Sequence, residues 1–367
     1  MSGDAVGRQK TPVILITAVE PSADTIGAEI IREIRSAHPD AEIVGCGGPL
    51  MQAEGLESIL AVDKLSVMGV ADLAGAILFA LVAARDLGAL ADETRPDVAV
   101  LIDAWGFSQL AAPRIRAAAP GVAMVKVAAP QVWANRPKRA HDAVALFDEI
   151  LCLLPFEPPL FTDLGGKASF IGNPTFKTAM AAVDRADNNA FKDRYNLSDA
   201  PTLLAMLGSR RSEVSRLAEP FGDAAARLAS HVDGLNVISV VAPSVKAQAE
   251  EALSAWSVPV TTIPAADKYA AFAAADIALA ASGTVTTELT IFGVPTVVGY
   301  RVDRLSELWA RMAVICDYAS IVNIAANRSL LPEFLQDDCT GEALLVPAGL
   351  APANAAAARI LSYISRH

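Results

Sequence analysis

Short apolar, β-branched runs alternate with Ala-rich stretches of helical character along most of the chain. Val13-Ile14-Leu15-Ile16 comes first and predicts a strand, followed by a helix from about Ala23 to Ala37. Ile43-Val44-Gly45, a helix across roughly 72–92, Val98–Ile102, Val122–Val127 and Ile150–Leu154 continue the series. Strands that are apolar without interruption are covered on both faces, which is the mark of a parallel sheet between helical layers. A polar stretch near Asp184–Pro201 breaks the pattern and reads as a domain boundary. The alternation then restarts: Leu203–Leu207, Val237–Val241, Val260–Ile263, Ile277–Ala280 and Thr296–Val298 read as strands, with helices between, such as Glu213–His231.

The expected fold is therefore α/β, with two doubly wound, Rossmann-like domains facing a cleft. We place the first at 11–183 and the second at 184–345, with an Ala-rich helical tail at 346–367. The length of 367 residues suits two domains with full cores.

Composition changes this picture in three ways. Thirty Lys+Arg against 41 Asp+Glu give a net charge of −11, which argues against a nucleic-acid partner. Cys46, Cys152, Cys316 and Cys339 form no CxxC pair, and the four His show no ligand spacing. No metal site or disulfide framework is expected, and a reducing cytoplasm is the default; the polar N-terminus carries no signal-peptide pattern. Hydrophobic residues make up 53% and mean hydropathy is +0.37, high for a chain without a clean membrane span. The greasiest segment, Val67–Ala84, contains Met68, Leu73, Ile77, Leu78 and Phe79, but Asp72 interrupts it and Arg85-Asp86 end it. A span needs about 20 apolar residues, so this is either a buried helix or a surface that docks on a bilayer.

In doubly wound sheets ligands sit beyond the C-terminal ends of strands, where helix N-termini point. The first strand runs into Glu20-Pro21-Ser22-Ala23-Asp24, where Ser22 and Asp24 suit either helix capping or a ligand, and Glu20 precedes the helix. Val98–Ile102 ends in Asp103, a carboxylate placed as a general base or as an N-cap. Val122–Val127 leads to Gln131, Trp133 and Arg136, which suit a sugar phosphate unless Trp133 is a core plug and Arg136 is solvated. In the second half Gly208-Ser209-Arg210 offers a close-approach glycine, helix N–H groups and a guanidinium for phosphate. Ser282-Gly283-Thr284 opens a helix in the same manner. Glu288, one turn after Thr284, reaches back to where its carboxylate would accept two hydrogen bonds from a ribose diol. Asn323, inside the apolar run Ile321–Ile324, is either a satisfied buried amide or a base contact.

Taken in order, ten segments resemble the lipid-A-disaccharide synthase family, glycosyltransferases of the two-Rossmann-domain (GT-B) type. They are Glu20–Asp24, Gly48–Gly55, Val67–Val70, Ile102–Ala104, Pro130–Ala134, Leu154–Glu157, Phe170–Pro174, Gly208–Arg210, Ala281–Thr284 and Gly299–Arg301. Each is weak alone; ten in the right order are specific. The resemblance implies transfer from UDP-2,3-diacylglucosamine to 2,3-diacylglucosamine 1-phosphate, with inversion, giving a β-1,6 disaccharide and UDP without a metal or other cofactor. It places Asp103 as the base for the acceptor hydroxyl and Arg210, Glu288 and Asn323 on the nucleotide-sugar side. It further implies a homodimer, with the tail exchanged or packed back on the N-terminal domain, and a cytoplasmic protein peripheral at the inner membrane.

The chain departs from the family pattern mainly in loop one and on the acceptor side. Val19 and Ala23 replace glycines, Asn135 a Trp, Asn173 a His, and Leu207 a Pro. These departures motivate a second reading, a paralogue that binds a nucleotide sugar or acylated sugar without the standard transfer. A third, a UDP-sugar 2-epimerase, shares the two-domain architecture.

Overall fold

The computed structural model describes residues 11–60, 73–133, 138–303 and 317–345. Met68, Arg136 and the tail at 346–367, all named above, lie outside the described residues. The chain divides into two compact units, one ending at Asn173 and one beginning at Pro174.

The first unit holds seven parallel strands: β1 (Val13–Ala18), β2 (Glu42–Cys46), β3 (Glu57–Ser58), β4 (Val98–Ile102), β5 (Ala123–Val127), β6 (Glu149–Cys152) and β7 (Ala168–Phe170). Their order is β3-β2-β1-β4-β5-β6-β7. Successive side chains on a strand point to opposite faces. Leu15, Leu101 and Met124 therefore pack with Leu87, Ala111 and Ile115 on one side. Ile14, Ile16, Val100 and Ile102 pack with Ala23, Ile31 and Met51 on the other. Both faces of the sheet are dry, which is why these strands read as continuous apolar runs.

The second unit repeats the plan with six parallel strands: β8 (Thr202–Met206), β9 (Asn236–Val241), β10 (Thr261–Pro264), β11 (Ile277–Ala281), β12 (Thr296–Tyr300) and β13 (Glu333–Leu335), in the order β10-β9-β8-β11-β12-β13. The helix Arg211–Ala229 buries Val214, Leu217, Phe221, Ala224 and Leu228, one helical stripe, against Leu203, Leu279 and Val297. Phe272, Leu289 and Phe191 cover the opposite face.

The division falls ahead of the polar stretch expected to mark it. The helix Pro174–Val183 packs on the helices Lys268–Ala273 and Thr284–Ile291, so it goes with the second unit. The polar stretch itself contains a short helix, Asn188–Arg194. Asp187 caps it by accepting from the Ala190 N–H at 3.0 Å, and Phe191 anchors it in the core.

The greasy segment yields the helix Leu73–Thr94. Its second half buries Ala83, Ala84, Leu87 and Ala91 toward the helix Trp105–Ala118. Gly88 allows that approach, since a Cβ there would stand 3.3 Å from the Arg114 Cβ. Its first half leaves Ile77, Leu78, Leu81 and Val82 exposed, and Phe79 half-buried. Among the described residues no helix is long and apolar enough to cross a membrane.

Candidate active site

In each sheet the strand order reverses at one place, between β1 and β4 and between β8 and β11. Loops leaving the C-terminal ends of such neighbours diverge and leave a crevice. Glu20 and Asp103 follow β1 and β4; Gly208–Arg210 and Ser282–Thr284 follow β8 and β11. Glu20, Asp103, Gly208–Arg210 and Ser282–Thr284 thus stand at the two switch points, while Gln131, Trp133, Asn173 and Asn323 lie on other segments.

At the first switch point Asp103 and Ala104 are both left-handed, with φ of +51° and +41°. Ala128, at the matching end of β5, has φ +61°. Each such non-glycine residue costs about 1–2 kcal/mol, so the surroundings must hold it. The Asp103 N–H donates to the Val127 carbonyl at 2.9 Å, and its own carbonyl accepts from Ser108 Oγ at 3.1 Å. Ala104, not Asp103, is the N-cap of the following helix, so the half-buried Asp103 carboxylate is not spent as a cap. Lys126 lies fully buried beneath this turn, and its ammonium donates to the carbonyls of Leu101, Asp103 and Val127. Burial pushes this amine down to about 7, against the opposing pull of Asp103 and Glu20. Glu20 is held above the usual carboxylate range by desolvation and by the Asp103 charge, with Lys126 working the other way. Lys126 escaped the sequence reading, although a lone lysine inside the apolar run Ala123–Val127 was the signal that marked it.

The other loop-one residues divide. Ser22 is exposed, and Glu20 rather than Ser22 takes the N-cap position of the helix Pro21–Ala37. Asp24 caps a different helix: its buried carboxylate accepts from the Leu50 and Met51 N–H groups, at 2.9 and 3.1 Å, at the start of Pro49–Ala53. Gly48 is required there, because a Cβ would strike that carboxylate. Two separate family segments, Glu20–Asp24 and Gly48–Gly55, are therefore one structural unit, and Asp24 is a brace within it.

Beyond β5, Gln131 is exposed while Trp133 is half-buried and anchored. Its indole N–H donates to Glu157 Oε1 at 3.1 Å, and its ring meets Phe156 edge-on at 5.8 Å. Glu157, buried, also accepts from the Leu154 N–H at 3.0 Å. Desolvation raises its carboxyl, and these hydrogen bonds oppose the rise. Sequence reading named Trp133, and Glu157 only within the segment Leu154–Glu157, without their contact. Asn173 is half-buried where the first unit ends.

In the second unit the turn Gly208–Arg210 has an occupant of its own. Glu213, buried, accepts the Ser209 and Arg210 N–H groups on Oε2 at 2.9 and 3.1 Å, and the Arg210 guanidinium on Oε1 at 2.8 Å. Gly208 has φ +100°, and a Cβ on it would collide with the Glu213 carboxylate. Arg210 is held at one corner, with its side chain 74% exposed and the rest of its fork directed outward.

The helix Thr284–Ile291 starts without a side-chain cap, and a Cβ on Gly283 would meet nothing within 4 Å. Its first turn is open to an anion. Thr284 is exposed, and Ser282 Oγ donates to the Ala319 carbonyl at 2.7 Å. Glu288 is buried, as its apolar neighbours implied. On Oε1 it takes the Lys268 ammonium at 2.6 Å and the Tyr269 hydroxyl at 2.8 Å. Neither partner was visible in the sequence, because both are distant along the chain. Burial, then the bond to Glu288, raises the Tyr269 phenol.

Asn323 takes the first of its two readings. Its amide donates to Leu331 O and Glu333 Oε1, both at 2.7 Å, and accepts from the Leu330 and Leu331 N–H groups, both at 2.8 Å. With its hydrogen-bonding capacity used internally and its surface fully buried, it is a brace and not a base contact.

A family model described as lipid-A-disaccharide synthetase matches residues 14–358. The lipid-A-disaccharide synthase of Rhodospirillum centenum is 38% identical over 338 residues, spanning 91% of this chain and 84% of that protein. That of Pseudomonas fluorescens is 39% identical over 332 residues, spanning 90% and 87%. Among solved structures, the UDP-GlcNAc 2-epimerase from Neisseria meningitidis bound to UDP-GlcNAc superposes with a TM-score of 0.61 at 11% identity, covering 97% of this chain and 100% of that one. The calicheamicin glycosyltransferase gives 0.55 at 15% identity, covering 97% and 93%. At these identities the two structures share the fold alone. The family model and the named relatives each cover most of the chain, and the chain belongs to the lipid-A-disaccharide synthase family.

Proposed function

We propose that this chain transfers the acylated glucosamine of UDP-2,3-diacylglucosamine to the 6-hydroxyl of 2,3-diacylglucosamine 1-phosphate. The observation that carries the mechanism is the Asp103 carboxylate, left uncommitted to capping by a left-handed turn at the first switch point. In this reading Asp103 takes the proton of the acceptor hydroxyl as its oxygen attacks the anomeric carbon. The bond from that carbon to the UDP oxygen breaks, its electron pair leaves with UDP, and the anomeric configuration inverts. Arg210 and the open first turn of Thr284–Ile291 meet the charge that develops on the diphosphate. Glu288, through the oxygen not engaged by Lys268 and Tyr269, takes the ribose diol. Gln131, Trp133 and Asn173 serve the acceptor side, with Glu157 holding the Trp133 indole.

Homodimerisation and residence on the cytoplasmic face of the inner membrane belong to the same proposal. The exposed row Ile77, Leu78, Leu81 and Val82 supports membrane contact by an apolar helix face. The family resemblance supports the dimer.

The test is UDP release and product mass spectrometry with both acylated sugars. Asp103→Asn is expected to lower kcat at least about 100-fold, the scale of general-base catalysis, with UDP affinity unchanged. An unchanged rate removes Asp103 as the base. Normal UDP binding with no UDP release by the unaltered chain excludes turnover on these substrates.

A further inference from the structure

We propose that Lys126 is a positioning residue for Asp103: its ammonium ties together three carbonyls at the ends of β4 and β5 and so sets the left-handed turn that presents the carboxylate. This rests on the reading of Asp103 as the base.

Lys126 sits on β5, inside the sheet and fully buried, where its neighbours Met124 and Val127 are core residues. An apolar side chain would fill such a place at less cost in desolvation, so the charge calls for a reason. Its partners supply one. The ammonium has three N–H groups and three carbonyl acceptors: Leu101 at 3.2 Å, Val127 at 3.3 Å, and Asp103. A neutral amine has two N–H groups and would turn its lone pair on one of those oxygens.

All three bonds bear on one residue. The Asp103 carbonyl is held directly. Val127 O, which Lys126 also binds, receives the Asp103 N–H. Leu101 lies on β4, two residues before Asp103. Asp103 is thereby pinned at both ends of its backbone, and the following peptide enters Ala104 at φ +41°. The charges that reach Lys126 are Asp103 and Glu20, both of opposite sign and both on the loops of this switch point. The lysine also partly offsets their mutual repulsion, which is among the causes that raise Glu20.

The titration follows in sign. Lys126 releases its proton at about 7 when folded, against 10.5 for a free lysine. Between those values the unfolded chain binds more protons, so stability rises with pH. Over the same range the ammonium is lost and the turn loosens, so kcat falls. Stability and activity move in opposite directions.

The experiment uses the full chain and Lys126→Met, alone and with Ala104→Gly or Asp103→Asn. Lys126→Met is expected to lower kcat about tenfold or more, with KM for the UDP-sugar within about twofold. The alkaline fall of kcat and the rise of stability with pH both flatten. Glycine accepts a positive φ freely, so Ala104→Gly raises the melting temperature of Lys126→Met more than that of the unaltered chain. In the Asp103→Asn background Lys126→Met costs little further rate. Equal gains from Ala104→Gly in both backgrounds, or an unchanged kcat in Lys126→Met, overturn the proposal. If Lys126→Met does not fold alone, the unaltered chain still decides: kcat that stays flat across roughly pH 6 to 10 overturns it. If Asp103→Asn alone leaves the rate intact, the base assignment fails, while the melting cycle still reads whether Lys126 sets the turn.

Discussion

Glu213 does at the second switch point what a phosphate oxygen would do there. It draws in two loop N–H groups and one corner of Arg210, and Gly208 is a glycine because of it. In the proposed reaction the donor diphosphate would meet Arg210 already oriented, rather than an empty ring of N–H groups. Glu288 is more exposed to error by mutation, because Lys268 shares it. Removing one partner of a buried ion pair costs about 3–5 kcal/mol, so alanine at Glu288 confounds folding with binding. Glu288→Gln also removes the charge, but it keeps the shape and an oxygen that accepts from both Lys268 and Tyr269. It is expected to weaken UDP binding by about 1–3 kcal/mol, read by calorimetry. An unchanged affinity would remove the ribose assignment. The positions of Asp103 and Glu288 at the switch points were legible because a carboxylate after an apolar strand, or one turn into the next helix, has a place relative to the sheet. Asp24, Glu157 and Lys268 were not legible in their actual roles. Each acts through a contact with a residue far along the chain or in a loop of no fixed spacing, and no periodicity encodes such a pair.

At the scale of elements, the long strands were readable because burial on both faces makes them continuous apolar runs. β3, β7 and β13 span two or three residues each, too few for any period to show. The helix Asn188–Arg194 was hidden for another reason: its buried anchor is the single residue Phe191, and the rest is polar. The helix Leu73–Thr94 is core in its second half and bare in its first, so the buried reading holds for the second half only. Replacing Ile77 and Leu78 together by Ser removes apolar surface from an exposed face. The pair is expected to reduce sedimentation with phospholipid vesicles several-fold, at about 0.8 kcal/mol per methylene that would have entered the bilayer. The melting temperature is expected to stay within about 2 °C, since neither side chain is packed. Unchanged vesicle binding would place the contact elsewhere.

For the whole molecule the net charge of −11 bears on the proposed membrane contact. Anionic lipid repels such a chain on average, and the exposed row carries no Lys or Arg between Ile77 and Val82 to counter it. Binding to zwitterionic vesicles is therefore expected to change less than about twofold between low and moderate salt, by the same sedimentation measurement. Abolition by moderate salt would mean that a basic patch, not the apolar row, makes the contact. The strand order has a consequence for how this chain is made. In each unit the first strand to leave the ribosome, β1 or β8, takes an interior place in its sheet, third from one edge. Ile14 pairs with Ile43 on one side but waits for Val98 on the other. A fully apolar strand thus stays open along one edge through much of the synthesis of its own unit, a template for pairing with any neighbouring nascent chain. That edge is closed only when β4 and β11 arrive, so the same exposure arises once in each unit.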